Sequence, residues 1–216
     1  MITLHHLNNS RSQRILWLLE ELGVPYEVKR YQRDGITRLA PLELKAIHPL
    51  GKSPVVTDGA NVVAESGAIV EYLIDNYGNG RFRPAEGTPE MVPYRHWLHF
   101  AEGSAMLPLM LALYTGRLGE AAAPLAPRIQ GEIANHLSYL NASLATGPFL
   151  LGDNLTGADI QTSFVVEAAA ASRLLAPYSN LENYAALIQA RPAYQRALEV
   201  GGPYELGSPA SPKERN

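Results

Sequence analysis

The chain has 216 residues, of which 46% are hydrophobic and 18% are charged, and its formal net charge is −3. This length is enough for one large domain or two modest ones with their own cores. Because the sequence has neither a basic block nor an acidic tail, we expect no nucleic acid and no membrane surface among its partners. Met1 leads directly into a strand-like pattern, so we expect a cytoplasmic protein with no signal peptide and no membrane-spanning helix.

The sequence contains no cysteine and six histidines. Disulfides, thiolate metal ligands and a cysteine nucleophile are therefore excluded, so any sulfur chemistry must use a sulfur that the substrate brings. His96 and His99 have the spacing of a helical metal pair, but no carboxylate completes an obvious ligand set. We therefore predict no metal site.

The chain opens with a strand–helix–strand pattern. Residues 2–7 and 26–31 alternate as strands do, and apolar residues between them recur at helical spacing. Ser10 or Ser12 can cap this helix, and Gly23 can end it. Such an opening suits a parallel, right-handed crossover.

A second group of elements follows a polar loop. We predict a short helix over 41–47, a hairpin with strands at 55–58 and 61–64, and a helix that begins at Ser66. The first 80 residues therefore read as a βαβαββα unit.

A stretch rich in proline and glycine separates this unit from a second one. We interpret residues 81–92 as a linker, so the predicted domains are 1–80 and 93–200. Strand signals are absent beyond the linker. Helical patterns cover residues 96–114, 129–144, 180–190 and 193–200. The tail, residues 201–216, is rich in Gly, Pro and Ser, and we expect it to be loose.

One helix of the second unit has a sharp start signal. Thr156 and Asp159 form a capping-box variant, and Leu155 with Ile160 forms a hydrophobic staple around it. The helix that follows, to about Ala171, is apolar or small on almost every side. We therefore predict that it lies at the centre of its domain.

Two short segments indicate a binding site. In Lys52-Ser53-Pro54 the proline precedes two β-branched residues and suits the first residue of a strand. A cis bond at this proline would turn the N–H and C=O of Ser53 outward, where an extended peptide ligand could pair with them. Further along, Ser66 can cap a helix whose free amides favour a carboxylate. Together the segments predict a receptor for a short, acidic, peptide-like ligand.

The chain resembles the cytosolic glutathione transferase family in four motifs. They are Gly51-Lys52-Ser53-Pro54-Val55-Val56, similar to the family's cis-proline segment; Glu65-Ser66-Gly67-Ala68-Ile69, similar to its Glu-Ser motif; Leu155-Thr156-Gly157-Ala158-Asp159-Ile160, similar to its second-domain helix cap; and Asn9-Ser10-Arg11-Ser12-Gln13-Arg14, where the family keeps its thiol-activating residue. The motifs stand in the family's order. The opening segment is most similar to a bacterial and fungal subgroup with serine at the activating position.

The resemblance implies a fold and an activity. The fold would be a thioredoxin-like α/β domain with a mixed four-stranded sheet and a cis-proline, followed by an all-α helical bundle. Glutathione would be the cosubstrate, and its thiolate would attack a hydrophobic electrophile, as in detoxification. Because family members are generally dimers, we expect a homodimer in which Tyr72, Tyr94 and Trp97 supply apolar surface.

The resemblance assigns thiol activation to Ser10, whose hydroxyl can donate a hydrogen bond to the sulfur. A free thiol has a pKa of about 8.5, and lowering it by about two units requires about 2.7 kcal/mol of stabilisation of the anion. Serine-type members usually have proline two residues after the serine, whereas this chain has Ser12 there. Ser12, Asn9 and Arg11 therefore stay open as alternatives.

The resemblance also implies how glutathione binds. The backbone of Ser53, beside Pro54, would pair with the cysteinyl part, and Lys52 would meet the glycyl carboxylate. Ser66 would hold the γ-glutamyl carboxylate, and Glu65 the ammonium group. The acceptor would lie in an apolar cleft between the domains, lined by Met106, Met110 and Tyr114.

Two alternatives remain open. A glutathione-dependent peroxidase would use the same fold, and the lack of cysteine does not argue against it. A non-catalytic glutathione-binding or interaction module would keep the binding residues and lose the chemistry. Ser12 in place of proline is the departure that keeps this second alternative open.

Overall fold

A mixed four-stranded β-sheet forms the first part of the chain, in a computed structural model that describes residues 1–202 and 204–206. The strands are β1 (Ile2–Leu7), β2 (Tyr26–Tyr31), β3 (Val55–Asp58) and β4 (Asn61–Ala64). Their spatial order is β2-β1-β3-β4, with β2 parallel to β1 and the other two pairings antiparallel. The Ser53–Pro54 peptide bond is cis. The predicted thioredoxin-like sheet is therefore confirmed.

The α-helices of this part are α1 (Ser12–Leu22) and α2 (Ser66–Tyr77). A short 3-10 helix at Leu42–Ala46 lies between them in the chain. Helix α1 packs against the sheet and against helices of both halves of the chain, which is why it is buried along almost its whole length. It ends at Gly23, whose φ of 69° lies in the left-handed region that favours glycine. The predicted end of this helix is confirmed.

The second part of the chain is helical, as predicted. Its helices are α3 (Met91–Phe100), α4 (Met106–Thr115), α5 (Ala126–Ser143), α6 (Gly157–Ala171), α7 (Ser179–Gln189) and α8 (Pro192–Gly201). The helix expected over 96–114 is interrupted by a π-helical turn at Ala101–Ala105. This turn contains Gly103 and Ser104, which are weak helix formers, and π turns are frequent at functional sites.

Helix α6 is central to the molecule. It packs against α1 and α2 of the first part and against α3 and α7 of the second. At its start the Asp159 carboxylate accepts hydrogen bonds from the amide and the hydroxyl of Thr156, both at 2.8 Å. The capping box and the all-round burial of this helix are thus as predicted.

One hydrophobic core runs through both parts, from Ile2 in β1 to Ala197 in α8. The chain between Tyr77 and Met91 is made of turns, and the domain limits 1–80 and 93–200 stay a prediction. Most of the predicted tail, residues 201–216, falls outside the described residues. Within residues 1–202 and 204–206, no helix is both long and apolar enough to span a bilayer.

Candidate active site

A cleft of about 270 Å³ lies where the start of β3, the start of α2 and the π-helical turn meet. Its lining residues are Arg11, His48, Leu50, Lys52, Ser53, Pro54, Val55, Ala64, Glu65, Ser66 and Glu102. The cleft thus brings together the residues of both predicted binding segments. Of the four candidates for thiol activation, Arg11 lines it.

Ser53 is held against β1 by its side chain. Its hydroxyl donates a hydrogen bond to the His5 carbonyl at 2.8 Å and accepts one from the Leu7 amide at 3.1 Å. Among the described residues its backbone N–H and C=O have no hydrogen-bond partner. Lys52 beside it is exposed. A backbone donor and acceptor next to a cation are therefore available to a ligand in this cleft.

Helix α2 begins at Ser66, and Glu65 occupies the cap position with a φ of 68°. This conformation costs a non-glycine residue about 1–3 kcal/mol, and such residues cluster at ligand clamps. The prediction that Ser66 is the cap is wrong, because Ser66 is the first helical residue. Its buried hydroxyl accepts a hydrogen bond from Gln161 Nε2 at 3.0 Å, while its amide stands among the free donors of the helix start, which favour an anion.

Arg11 spans the cleft from the start of α1 to Glu102 on the π-helical turn. Its Nε donates to both carboxylate oxygens of Glu102 at 2.8 Å. Arg14 is fully buried, pairs with the same carboxylate, and donates to the Gln161 carbonyl at 2.5 Å. Both guanidinium groups lie over the Phe164 ring, 5.0 and 5.1 Å from its centroid, as cation–π partners. We call Arg11, Glu102 and Arg14 the charged triad.

The charged triad keeps its charges at neutral pH. Burial acts to raise the pKa of Glu102, but Arg14 and Arg11 outweigh it, and the pKa lies below its ordinary value. Burial lowers the pKa of Arg14, and Glu102 opposes that effect. Because an arginine in a protein stays protonated, the triad contains two cations and one anion.

Ser10 and Ser12 are buried and do not line the cleft. The Ser10 hydroxyl donates to the Leu7 carbonyl at 2.7 Å and lies 2.7 Å from the Ser12 hydroxyl. The Ser12 hydroxyl is in turn 2.9 Å from Nδ1 of His6. The Ser10 hydroxyl also accepts a hydrogen bond from the Ser12 amide at 3.2 Å, and Arg11 between them is helical, so Ser10 caps the first turn of α1, as one of the two predicted serines.

Asn9, the remaining candidate for thiol activation, has a left-handed φ of 50°. Its side-chain oxygen accepts a hydrogen bond from the Glu205 amide at 2.7 Å. This side chain therefore holds the C-terminal segment against the first part of the chain.

The three residues predicted to line the pocket for the acceptor substrate lie on α4, and they differ in exposure. Met106 is 4% exposed and packs in the core, so the prediction that it lines an open pocket is corrected. Met110 is half-buried, and Tyr114 is 57% exposed. Leu107 and Leu111 are exposed on the same helix.

Two of the three residues predicted at a dimer interface are buried within the chain. Tyr94 is 1% and Trp97 5% exposed, because α3 packs them against α6 and its neighbours. Tyr72 is half-buried, and its hydroxyl donates to Asp58 at 3.0 Å. Tyr94 and Trp97 therefore supply no surface for a partner.

Sequence reasoning missed Glu102, Arg14, Gln161 and Phe164. A signal exists for two of them: Glu102 interrupts an apolar run, and Gln161 is a polar residue in a helix predicted to be buried on all sides. Such a polar residue at a buried position needs a partner, which marks it for attention. In the part of the chain that the structure describes, no group of three or more His, Asp or Glu side chains could hold a metal ion.

Comparisons with known proteins agree with this architecture. A family model for the glutathione S-transferase N-terminal domain matches residues 1–75, and one for the C-terminal domain matches residues 107–199. Glutathione S-transferase 3 of Schizosaccharomyces pombe is 38% identical over 92% of this chain and 87% of its own length. A crystal structure of a glutathione S-transferase from Actinobacillus pleuropneumoniae is 39% identical, with a TM-score of 0.86 over 93% of both chains.

A third similar protein was solved with its ligand. A glutathione transferase family member from Pseudomonas fluorescens, with two glutathione molecules bound, is 26% identical and has a TM-score of 0.78 over 92% of both chains. The matches cover both halves of this chain, and its sheet and its helical half agree with them. The chain belongs to the glutathione S-transferase family.

Proposed function

We propose that this protein binds glutathione in the cleft, ionises its thiol and joins the sulfur to an electrophilic carbon of a hydrophobic acceptor. In this step a sulfur–carbon bond forms, the acceptor's leaving group departs with the electron pair of its bond to carbon, and the thiol proton goes to solvent. The observation that carries the proposal is the composition of the cleft, in which both binding segments meet the exposed end of the charged triad.

Each charge of glutathione has an opposite charge or dipole in this cleft. Lys52 would meet the glycyl carboxylate, and Glu65 the γ-amino group. The amide of Ser66, at the start of α2, would hold the γ-glutamyl carboxylate. The free backbone groups of Ser53 would pair with the cysteinyl part beside Pro54. No metal is needed for any of these contacts.

For the sulfur we propose Arg11 rather than Ser10. The Ser10 hydroxyl is buried, lies 2.7 Å from both the Leu7 carbonyl and the Ser12 hydroxyl, and does not line the cleft. The Nη1 and Nη2 groups of Arg11 have no hydrogen bond within the described residues, and Arg11 lines the cleft. A cation near a thiolate lowers the pKa of the thiol, as this chemistry requires.

The acceptor would bind at the exposed apolar side of α4. Leu107, Leu111 and Tyr114 supply this surface, with the half-buried Met110 between them. Burial, Arg38 and Arg11 lower the pKa of Arg33, and Tyr114 acts in the opposite direction. Because such effects need proximity and Arg33 follows β2, this end of α4 lies near the loops of the first part of the chain.

We also propose a homodimer that works in the cytoplasm. Val62 on the edge strand β4 and Val92 at the start of α3 are exposed apolar residues that a partner could cover. A reducing compartment keeps glutathione as a thiol. Light scattering of the purified protein tests the dimer, and a monomeric mass at assay concentration would contradict it.

The central experiment follows the thiolate of bound glutathione by ultraviolet absorbance against pH, with calorimetry for affinity and an activated aryl chloride as the acceptor. We expect the bound thiol to titrate below its free pKa of about 8.5. Ser10→Ala should change that pKa by less than about 0.3 unit, and Arg11→Gln should raise it by about 1 unit, because one charge near the sulfur is lost. Arg128→Gln, which removes an exposed arginine of α5, is the matched control.

The outcomes separate the alternatives. Absence of glutathione binding would overturn the proposed function. A pKa shift in Ser10→Ala but not in Arg11→Gln would return the activating role to the serine. Reduction of an organic hydroperoxide without conjugation would identify a peroxidase, and binding without a thiolate would identify a non-catalytic module.

A further inference from the structure

Glu102 is the contribution of the helical half of the chain to the glutathione cleft. It lies on the π-helical turn between α3 and α4, and both of its carboxylate oxygens accept from Arg11 Nε at 2.8 Å. The two residues are 91 positions apart in the chain. The contact uses only the Nε of Arg11. The Nη1 and Nη2 groups, at the outer edge of the guanidinium, therefore stay available for a ligand.

The charged triad has an excess of one positive charge. Arg14 has no exposed side-chain surface, while the side chains of Arg11 and Glu102 are each about one third exposed. A partly buried cation favours an anion beside its exposed side. The exposed cation is Arg11. Because the proposed binding assigns the two carboxylates of glutathione to Lys52 and Ser66, the anion left for Arg11 is the thiolate.

We propose that Glu102 is a positioning residue that holds the Arg11 guanidinium where it meets the glutathione sulfur. The inference rests on the proposed function, because it assigns the residue that orients the proposed thiolate-stabilising group. An arginine side chain loses about 1.5–2 kcal/mol of rotamer entropy when it is ordered. Glu102 restricts this freedom, because both of its carboxylate oxygens hold the Arg11 Nε at 2.8 Å.

Arg14 and Phe164 fix Glu102 and Arg11 in turn. Arg14 pairs with the Glu102 carboxylate from the buried side and is itself tied to α6 through the Gln161 carbonyl. The Phe164 ring faces both guanidinium groups. The position of Arg11 therefore depends on α6 and on the π-helical turn, and each half of the chain supplies part of the thiolate site.

The test uses Glu102→Asp, which keeps the negative charge and withdraws it by one methylene. The carboxylate remains for Arg14, so we expect the variant to fold, with thermal unfolding as the check. If Glu102 positions Arg11, the pKa of bound glutathione should rise by about 0.5 unit, which is about threefold less thiolate at a pH below that pKa. Glu132→Asp alters a partly exposed carboxylate that pairs with Arg128 on α5; it is the matched control and should leave the pKa unchanged.

A double variant distinguishes positioning from a general structural effect. In the Arg11→Gln background there is no guanidinium to position, so Glu102→Asp should cause no further shift of the thiol pKa. Equal shifts in the two backgrounds, or no shift in the single variant, would overturn the inference. If Glu102→Asp does not fold, Glu102→Gln replaces it in both backgrounds. The inference then requires that the shift of the thiol pKa differ between the two backgrounds.

The results also separate this inference from the proposed function. If the unaltered protein does not bind glutathione, the proposed function fails and the inference fails with it. If Arg11→Gln raises the thiol pKa while Glu102→Asp leaves it unchanged, the proposed function stands and the positioning role is overturned.

Discussion

His6 lies in the polar cluster beneath the cleft, together with Ser10 and Ser12. Burial lowers the pKa of His6 to about 4, a hydrogen bond to the Gly201 backbone acts in the opposite direction, and Arg30 lowers it further. The ring is therefore neutral at pH 7 in the folded chain. Its Nδ1 lies 2.9 Å from the Ser12 hydroxyl, so this cluster is part of the folded core rather than of the open site.

The depressed pKa makes stability depend on pH. The unfolded chain takes up a proton on His6 below its ordinary pKa of 6.5, whereas the folded chain does so only near pH 4, so the unfolded state binds more protons between these values. We expect His6 to account for a loss of about 2 kcal/mol of unfolding free energy between pH 7 and pH 5.

Urea unfolding at both pH values measures this effect. In His6→Asn the loss of unfolding free energy between pH 7 and pH 5 should be smaller by about 2 kcal/mol than in the unaltered chain, because the titrating group is gone. His99→Asn, at an exposed position of α3, is the control and should keep the dependence of the unaltered chain. Identical pH dependence in His6→Asn and the unaltered chain would contradict the prediction.

The start of α6 depends on one buried carboxylate. Asp159 accepts hydrogen bonds from the amides of Leu150 and Thr156 at 2.9 and 2.8 Å, from the Thr156 hydroxyl at 2.8 Å and from the Tyr184 hydroxyl at 3.1 Å. Burial raises the pKa of Asp159, and these hydrogen bonds act against that rise. The carboxylate thus joins α6, α7 and the loop before α6.

We expect Asp159→Ala to lower the unfolding free energy by about 3–5 kcal/mol, because several buried donors lose their acceptor together. Thr156→Ala should cost about 1–2 kcal/mol, the usual value for an N-cap. Urea denaturation measures both. Thr115→Ala, at a partly exposed position at the end of α4, should change stability by less than about 0.5 kcal/mol. A smaller loss for Asp159→Ala than for Thr156→Ala would show that the carboxylate does not organise this junction.

At the scale of the whole molecule, the two halves of the chain meet closely at Gly157. A Cβ there would lie 2.6 Å from Ile74 Cδ1, 2.7 Å from the Tyr94 hydroxyl and 2.8 Å from Val70 Cγ1. These neighbours belong to α2 and α3, so the small residue lets α6 approach both. Its amide also donates to the Phe82 carbonyl at 2.7 Å.

Gly157→Ala should therefore lower the unfolding free energy by about 1–3 kcal/mol through overpacking. Gly131→Ala is the matched control, because Gly131 lies exposed in α5 with no atom within 4 Å of an added Cβ. We expect it to stabilise the chain by about 0.5–1 kcal/mol, since alanine is the better helix former. Thermal or urea unfolding of the two variants measures the contrast, and equal effects would contradict the close approach at Gly157.

Elements with strong local signals were predictable from the sequence. Gly23 ends α1, and Thr156 with Asp159 starts α6, because the chemistry of each cap is complete within a few residues. The break at Ala101–Ala105 was not predictable, because the residues on both sides continue a helical pattern and tertiary packing decides whether an extra residue is accommodated.

The residues of the candidate site likewise divide into those that the sequence predicts and those that it does not. Lys52, Ser53 and Pro54 form one segment and Glu65 and Ser66 another, so each was visible as a motif. The pairing of Arg11 with Glu102 was not visible in the sequence, because it joins residues that no local pattern relates. The burial of the Ser10 hydroxyl, 2.7 Å from the Leu7 carbonyl, was not visible either, because it depends on how the start of α1 packs against β1.

By itself the sequence determined the family, the order of strands and helices, and the residues that can meet the charges of a small acidic peptide. These follow from local periodicity, caps and short motifs, which need only neighbouring residues. The tertiary structure decided which candidate side chain lines the cleft and what holds it there. Those questions depend on burial and on contacts between distant segments, because the surroundings of Arg11, Ser10 and Glu102 exist only when α6 and the π-helical turn pack against α1.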